Sequence, residues 1–205
     1  MNEDMTTTLN PYSWNQVSNM LYIDQPVGYN GAGFSYVNQS EASSDPLISR
    51  TRDAAPVLWA TLQAFYAEFP QYKAENGFNF FTESYGGQYG PIFSEYILEQ
   101  NAKVAQPEQS SNGIAIPLTT LGIGNGLYDV LTQAKYWPIF ANQNSYGIKA
   151  LSDEQYELAT SPEVLQRCED AVIACRITKD QDVCVNANLY CAEGVQDVYT
   201  EFSNR

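Results

Sequence analysis

One serine in the chain has the surroundings of a catalytic nucleophile. An apolar run precedes it and a segment of helical spacing follows it, in the stretch Phe80-Phe81-Thr82-Glu83-Ser84-Tyr85-Gly86-Gly87. A strand, a tight turn with serine at its apex and an immediate helix form the nucleophile elbow, G-x-S-x-G, in which Thr82 here replaces the first glycine. Such a turn exposes the hydroxyl of Ser84, so the motif indicates acyl transfer through a covalent serine intermediate.

The same motif has a second interpretation, in which Ser84 only caps the helix at a plain strand-to-helix turn. The strand before it and the helix after it are the context that a nucleophile elbow requires, and they leave both interpretations open. In the catalytic interpretation, the backbone N–H of Tyr85 lies at the helix N-terminus and faces a developing oxyanion.

The elements that position Ser84 follow from the hydrophobic pattern. Residues 19–24, 78–82 and 114–123 are apolar runs that indicate buried strands, and the last of them ends at Gly124-Asn125-Gly126, a structural turn near the site. Apolar residues recur at helical spacing over residues 52–69 and 86–100. Strands that alternate with helices predict a parallel α/β sheet.

The chain beyond Asp129 has a different pattern, which predicts helices rather than strands. We expect helices over residues 134–142 and 152–159, the second with Ser152 as its N-cap and Gln155 completing a capping box. Residues 1–150 are therefore interpreted as an α/β core, and residues 151–205 as a helical segment that carries all four cysteines.

The charge and hydropathy of the chain exclude several classes of partner. The 205 residues carry a net charge of −14, which repels nucleic acid and anionic lipid. No window of the sequence is long and apolar enough to predict a transmembrane helix. The first residues, Met1-Asn2-Glu3-Asp4, lack the basic and apolar regions of a signal peptide.

The four cysteines lie close together at symmetric spacing. They are Cys168, Cys175, Cys184 and Cys191. The symmetry favours nested disulfides, Cys168 with Cys191 and Cys175 with Cys184, between two antiparallel segments, although the other two pairings stay open. Zinc is the competing interpretation, but the usual C-x-x-C spacing and histidine are absent. Disulfides imply an oxidising compartment, and the glycosylation sequon at Asn38 is consistent with secretion.

Four further stretches accompany the elbow in a fixed order along the chain. They are Asn10-Pro11-Tyr12-Ser13-Trp14-Asn15, Asp24-Gln25-Pro26-Val27-Gly28, Gly33-Phe34-Ser35-Tyr36 and Gly122-Ile123-Gly124-Asn125-Gly126. Together with the residues around Ser84, this series resembles the serine carboxypeptidase family, and its fungal members in particular. The resemblance covers nearly all of residues 10–191. The cysteine spacing also resembles the family's insertion, in which the nested pairing is found.

The resemblance implies an α/β-hydrolase core with a helical, disulfide-linked cap. It also implies release of the C-terminal amino acid from peptides and proteins at acidic pH, with no metal or cofactor. Ser84 matches the nucleophile, and Tyr85 matches the residue that supplies one oxyanion-hole N–H. Glu83 matches a carboxyl group that shares a proton with a second glutamate and binds the substrate's terminal carboxylate. A protonated acid can donate to that carboxylate, whereas two anions repel each other.

Two matched positions have structural interpretations. Asp24 precedes Ser84, whereas the α/β-hydrolase order is serine, acid, histidine, so Asp24 is interpreted as a turn former rather than a triad acid. Gln88 stands where the family commonly has histidine, and we expect it to alter packing near the elbow rather than the chemistry.

The chain departs from the family in lacking a base for Ser84. It contains no histidine, and none of its lysines carries a motif that places it beside Ser84. The resemblance implies that the triad aspartate and histidine lie beyond this chain, and that the oxyanion loop and the partner of Glu83 lie before it. We therefore expect a chain truncated at both ends, with an incomplete core sheet and no activity alone.

Three hypotheses of function follow. The first is a serine carboxypeptidase whose sequence is incomplete, located in the secretory pathway, either vacuolar or extracellular. The second is a non-catalytic, carboxypeptidase-like fragment that acts at most as an interaction protein. The third is an acyltransferase built on the same scaffold, with Ser84 as the nucleophile and a different acceptor.

Overall fold

The computed structural model describes residues 4–26, 34–36, 48, 50–73, 77–106 and 113–191. The sequon at Asn38 lies outside these residues, so the glycosylation site stays a prediction. Within the described residues, two strands and seven α-helices are present. They are α1 Thr51–Glu68, β1 Phe78–Glu83, α2 Gly86–Val104, β2 Leu118–Gly124, α3 Val130–Gln133, α4 Trp137–Asn142, α5 Asp153–Ala159, α6 Pro162–Thr178 and α7 Gln181–Cys191.

The sheet positions Ser84 at the carboxyl end of β1. β1 and β2 pair in parallel, with Phe80 opposite Leu121 and Glu83 opposite Gly124. The connection between them is α2, so β1, α2 and β2 form a β-α-β unit of the kind that the alternating pattern predicts. Because parallel strands end at the same edge, the turn after β1 and the turn after β2 lie side by side.

Residues 19–24 were predicted to form a strand, and this prediction is wrong. The structure assigns no strand there, and no backbone hydrogen bond joins this segment to β1 among the described residues. Both segments contribute to the lining of a cavity of about 1100 Å³, the first through Met20 and Ile23 and β1 through Phe78 and Phe80. An apolar run becomes a strand only where a neighbouring backbone completes its ladder of hydrogen bonds. The sheet therefore has two strands in the described part of the chain.

The strand predicted over residues 114–123 begins four residues later, at Leu118, and ends at Gly124. Side-chain amides replace strand pairing in the segment before it. Gln63 accepts from the N–H of Ile114 at 2.5 Å and donates to its carbonyl at 2.8 Å. Asn101 likewise accepts from the N–H of Ile116 at 2.8 Å and donates to its carbonyl at 2.7 Å. These contacts satisfy the backbone of the segment, so it needs no neighbouring strand.

The main core lies between α1, α2 and the sheet. α1 contributes Leu58 and Leu62, and α2 contributes Phe93 and Ile97, all of them buried. Apolar side chains three and four residues apart line one face of each helix, which explains why these segments fold as helices against each other. Phe80 of β1 stacks on Phe93 with ring centroids 6.3 Å apart, which fixes the strand against α2.

The chain after β2 is helical, as predicted, although residues 134–142 divide into a 3-10 turn at Ala134–Tyr136 and α4. Helix α5 begins at the predicted capping box of Ser152 and Gln155. The division of the chain at residue 150 stays a prediction. None of the helices in the described residues is long and apolar enough to cross a lipid bilayer.

The four cysteines join α6 to α7. The structure pairs Cys168 with Cys191 and Cys175 with Cys184, which is the nested arrangement. The segments that they join are two antiparallel helices. Cys168 and Cys191 are buried together with Ala134, so the first disulfide forms a second small core against the residues that follow β2. The disulfides fit an oxidising compartment.

Candidate active site

Ser84 lies between the last residue of β1 and the first turn of α2, with a backbone φ of +57°. Residues other than glycine rarely adopt this left-handed conformation, because the Cβ atom crowds the following carbonyl oxygen. A strained serine on a sharp strand-to-helix turn is the backbone geometry that a nucleophile elbow requires. The residue is exposed, and its hydroxyl has no hydrogen-bond partner within the described residues.

Three backbone hydrogen bonds fix Ser84 in this conformation. Its N–H donates to the carbonyl of Gly124 at 3.1 Å. Its carbonyl accepts from the N–H of Gly87 at 3.0 Å and from the N–H of Leu127 at 2.8 Å. The turn after β2 therefore supports the turn after β1 directly.

Close contacts leave no room for a side chain at the two glycines that follow Tyr85. A Cβ atom on Gly86 would lie 2.4 Å from the Cβ of Thr82, and one on Gly87 would lie 2.5 Å from the carbonyl oxygen of Leu127. Both distances are shorter than real Cβ contacts. Thr82, which occupies the first glycine position of the motif, donates through its hydroxyl to the carbonyl of Gly86 at 3.0 Å. Its side chain thus contributes a hydrogen bond across the turn.

Tyr85 is the N-cap residue of α2. Its backbone N–H has no acceptor within the described residues, as is usual at the start of a helix. Its side chain packs edge-on against Tyr89, with ring centroids 4.9 Å apart, and its hydroxyl lies 3.4 Å from that of Thr51. Burial raises the pKa of Tyr89, and the neighbouring Tyr85 adds to the rise. The Tyr89 phenol is therefore neutral at acidic and neutral pH.

Glu83 is the last residue of β1, and its side chain is exposed at the carboxyl edge of the sheet. No other described residue forms a hydrogen bond or an ion pair with the Glu83 carboxyl group. The structure thus places Glu83 next to Ser84 without a second carboxyl group beside it in the described part of the chain. The proton-sharing arrangement that the family resemblance implies stays a prediction.

Among the described residues, the hydrogen bonds of Asp24 are to Phe34 and Ser35 rather than to Ser84. One carboxylate oxygen accepts from the N–H groups of Phe34 and Ser35, at 2.9 and 3.0 Å. The carbonyl of Asp24 accepts from the hydroxyl of Ser35 at 2.8 Å. These bonds connect two of the sequence motifs, and they agree with the interpretation of Asp24 as a turn former.

Within the described residues, no three or more histidine, cysteine, aspartate or glutamate side chains converge on a point where a metal could bind. The arrangement around Ser84 instead offers an exposed hydroxyl, an unpaired N–H and a carboxyl group at one edge of a parallel sheet. These are groups that take part in acyl transfer.

Two residues hold the elbow from the β2 side. The sequence indicated Gly124, as part of a turn near the site, but not Leu127. Leu127 acts through its backbone, so its residue type carries no signal. The Gly124-Asn125-Gly126 turn was the available indication, because a glycine-rich turn at a strand end allows close approach of two backbones. Asn125 has a φ of +41°, so a second non-glycine residue in the left-handed region lies beside Ser84.

Comparison with known proteins identifies the class to which this chain belongs. The family model for serine carboxypeptidases matches residues 1–203. Carboxypeptidase S1 of Penicillium janthinellum is 36% identical over 196 residues, which cover 96% of this chain and 43% of that protein. Carboxypeptidase S1 homolog A of Arthroderma otae is 32% identical and covers 97% of this chain and 38% of that protein.

Carboxypeptidase Y of Komagataella phaffii is 32% identical over 192 residues, 93% of this chain and 32% of that protein. The chain therefore spans about two fifths or less of the length of the curated relatives that it matches. A model that matches almost every residue establishes the family: the chain belongs to the serine carboxypeptidases, a family of hydrolases with the α/β-hydrolase fold.

Proposed function

We propose that this chain carries the nucleophile elbow of a serine carboxypeptidase that releases C-terminal amino acids from peptides and proteins at acidic pH. The observation that supports the proposal most strongly is the conformation of Ser84. Ser84 has a φ of +57° at the carboxyl edge of a parallel sheet, and its hydroxyl is exposed and has no hydrogen-bond partner among the described residues. A residue that only caps a helix has extended backbone angles and gives its side-chain oxygen to a backbone N–H, and Ser84 does neither.

The proposed reaction begins with attack of the Ser84 hydroxyl oxygen on the carbonyl carbon of the last peptide bond. The backbone N–H of Tyr85 stabilises the oxyanion that forms, because it lies at the helix N-terminus and has no acceptor in the part of the chain that the structure describes. The leaving amino acid takes a proton as the C–N bond breaks, and an acyl ester on Ser84 remains. Water then cleaves this ester and returns the free serine.

Removal of the serine proton requires a base, and the 205 residues contain no histidine. We therefore propose that these residues alone do not hydrolyse peptides, and that the triad aspartate and histidine come from sequence outside them. In the same proposal the β1–β2 pair is part of a larger α/β-hydrolase sheet. Helices α5 to α7 would form the disulfide-linked cap, with the division near residue 150.

Glu83 is proposed to bind the terminal carboxylate of the substrate. Its exposed position next to Ser84 at the sheet edge supports this role, because the scissile bond and the terminal carboxylate are one residue apart. A carboxyl group can donate to that carboxylate only while it is protonated, so substrate binding weakens as the pH rises. The proposed partners are peptide and protein C-termini. The proposed location is the secretory pathway, vacuolar or extracellular, which the two disulfides support.

The test is release of a C-terminal amino acid by the protein purified from its natural source, followed by mass spectrometry of the shortened peptide. Ser84→Ala should lower the rate by about 10⁴ or more. Ser94→Ala, the same change on a buried residue of α2, should leave the rate close to that of the unmodified protein. Unchanged hydrolysis by Ser84→Ala would remove Ser84 from the mechanism.

Two further outcomes separate the alternatives. In Glu83→Gln the amide donates at every pH, so the rise of KM with pH should flatten; an unaltered profile would exclude the carboxylate-binding role. Release of no amino acid by the unmodified protein would favour the non-catalytic interaction protein. Transfer of the acyl group to an added alcohol or amine in preference to water would favour the acyltransferase.

A further inference from the structure

Two glutamine side chains hold the loop that follows β2. Gln88, in the first turns of α2, donates through Nε2 to the carbonyl of Leu127 at 3.0 Å and also to the carbonyl of Tyr128. Gln133, at the end of α3, donates to the carbonyl of Gly126 at 2.9 Å and accepts from the N–H of Tyr128 at 2.6 Å. Residues 126–128 are thus held by side-chain hydrogen bonds from two helices.

The loop of residues 126–128 also contacts the elbow. The N–H of Leu127 donates to the carbonyl of Ser84 at 2.8 Å, and the carbonyl of the same residue accepts from Gln88. Gly87, which lies between Ser84 and Gln88, leaves room for this approach, since a Cβ atom there would lie 2.5 Å from the Leu127 carbonyl oxygen. One residue, Leu127, therefore connects the Gln88 amide to the backbone of Ser84 through its own N–H and carbonyl groups.

We propose that Gln88 is a positioning residue for the nucleophile: its amide holds the loop so that Leu127 keeps Ser84 in the left-handed conformation. Gln88 does not touch the serine hydroxyl and acts only through Leu127. An amide suits the task because its nitrogen carries two hydrogens for two carbonyls and stays uncharged at every pH. The effect on catalysis rests on the proposed function of Ser84, whereas the effect on the loop does not.

Gln88→Glu tests the proposal, because it keeps the size of the side chain and removes the donor. An ionised carboxylate faces the carbonyls of Leu127 and Tyr128 with no hydrogen to donate, whereas a protonated one can donate to one of them. The two facing carbonyls favour the protonated form of the introduced acid, because that form can donate to one of them and the ionised form cannot. The charged group beside the loop, Asp129, has its pKa held below 3.8 by Arg176, so it is ionised throughout the range from pH 5 to pH 8.

The matched control is Gln63→Glu. Gln63 is also a half-buried helix glutamine whose Nε2 donates to a loop carbonyl, that of Ile114 at 2.8 Å, and it lies in α1 rather than at the elbow. Both variants lose a donor of the same kind and gain the same charge. Only Gln88→Glu should loosen Leu127.

The measurement is the hydrogen-exchange protection factor of the Leu127 amide in the full chain, at pH 5 and pH 8. At pH 8, Gln88→Glu should lower protection about thirtyfold relative to the unmodified chain, as expected for loss of two hydrogen bonds of ordinary net strength. At pH 5 part of that loss should be recovered. Gln88→Met, which has a similar length and no donor or charge, should lose protection equally at both pH values.

Unchanged Leu127 protection in Gln88→Glu and Gln88→Met would overturn the proposal. An equal loss in Gln63→Glu would also overturn it, because the effect would then be general destabilisation. In the protein that shows peptidase activity, Gln88→Glu should lower kcat at pH 8 more than it changes KM. If no form of the protein has peptidase activity, the proposed function fails while the Leu127 result still decides the role of Gln88 in the loop.

Discussion

The left-handed conformation of Ser84 predicts that two substitutions with the same chemical loss differ in stability. Ser84→Ala and Ser84→Gly both remove the hydroxyl. The first keeps a Cβ atom at a backbone φ of +57°, and the second removes it. Because glycine adopts positive φ without steric cost, Ser84→Gly should be the more stable of the two.

The expected difference follows from two opposing contributions. A residue with a Cβ atom in the left-handed region costs about 1–2 kcal/mol relative to its ordinary conformation, and glycine avoids this cost. Glycine also makes the unfolded chain more flexible, which opposes folding by about 0.4–1 kcal/mol relative to alanine. The net result is a free energy of unfolding about 0.8 kcal/mol higher for Ser84→Gly than for Ser84→Ala.

Urea unfolding of the two variants, followed by circular dichroism, measures the difference. Ser94 provides the control, because it is buried in the interior of α2, where the backbone is helical. At that position the order of stability should reverse. The free energy of unfolding should be about 1 kcal/mol higher for Ser94→Ala than for Ser94→Gly. If alanine were the more stable choice at both positions, Ser84 would not be strained in solution, and the elbow geometry would lose its support.

Two other perturbations have defined outcomes. Gly87→Ala should lower the free energy of unfolding by about 1–2 kcal/mol, because the added Cβ would collide with the Leu127 carbonyl. Gly124→Ala should be tolerated, because the nearest atom to its added Cβ lies at 3.8 Å. Equal urea midpoints for the two variants would contradict this. Arg176 holds the pKa of Asp129 below its ordinary value of 3.8, so the pair stabilises the folded state above about pH 4 and this contribution is lost as the pH falls through the lowered pKa. Asp129→Asn should therefore cost about 0.5 kcal/mol at pH 6, the small value reflecting solvent screening of a half-exposed pair, and progressively less as the pH falls below 4. A cost that does not depend on pH would contradict this.

The parts of the fold that local pattern controls could be predicted from the sequence. Helix α1 and helix α2 follow the spacing of their apolar residues, and α5 follows the reciprocal hydrogen bonds of Ser152 and Gln155. The nested disulfides follow the symmetric spacing of the cysteines. Each of these features depends on residues close together in the chain, so a short window of sequence contains the information.

The parts that depend on distant partners could not be predicted in the same way. Residues 19–24 have the composition of a strand, but among the described residues no neighbouring backbone pairs with theirs. The segment around Ile114 and Ile116 is also apolar, yet Gln63 and Asn101 satisfy its backbone through side chains that lie far away in the sequence. Composition predicts where a strand can form, but a hydrogen-bonding partner decides whether it does.

The same distinction applies to the candidate site. Ser84 could be found because the turn at the end of β1 imposes small residues on its neighbours, and these appear in the sequence. The support from Leu127 uses only backbone atoms. The glutamines that hold residues 126–128, Gln88 and Gln133, have no spacing that marks them. Their role becomes visible only when β2 is placed beside β1.

The most direct test of the central claim is to identify the reactive serine of the protein purified from its source. The protein is treated with a fluorophosphonate at acidic pH and digested, and the modified peptide is sequenced by mass spectrometry. A single label on Ser84, absent from Ser84→Ala, is the predicted result. A label on another serine, or no label while the protein is folded, would contradict the claim that this elbow carries the nucleophile of a serine carboxypeptidase.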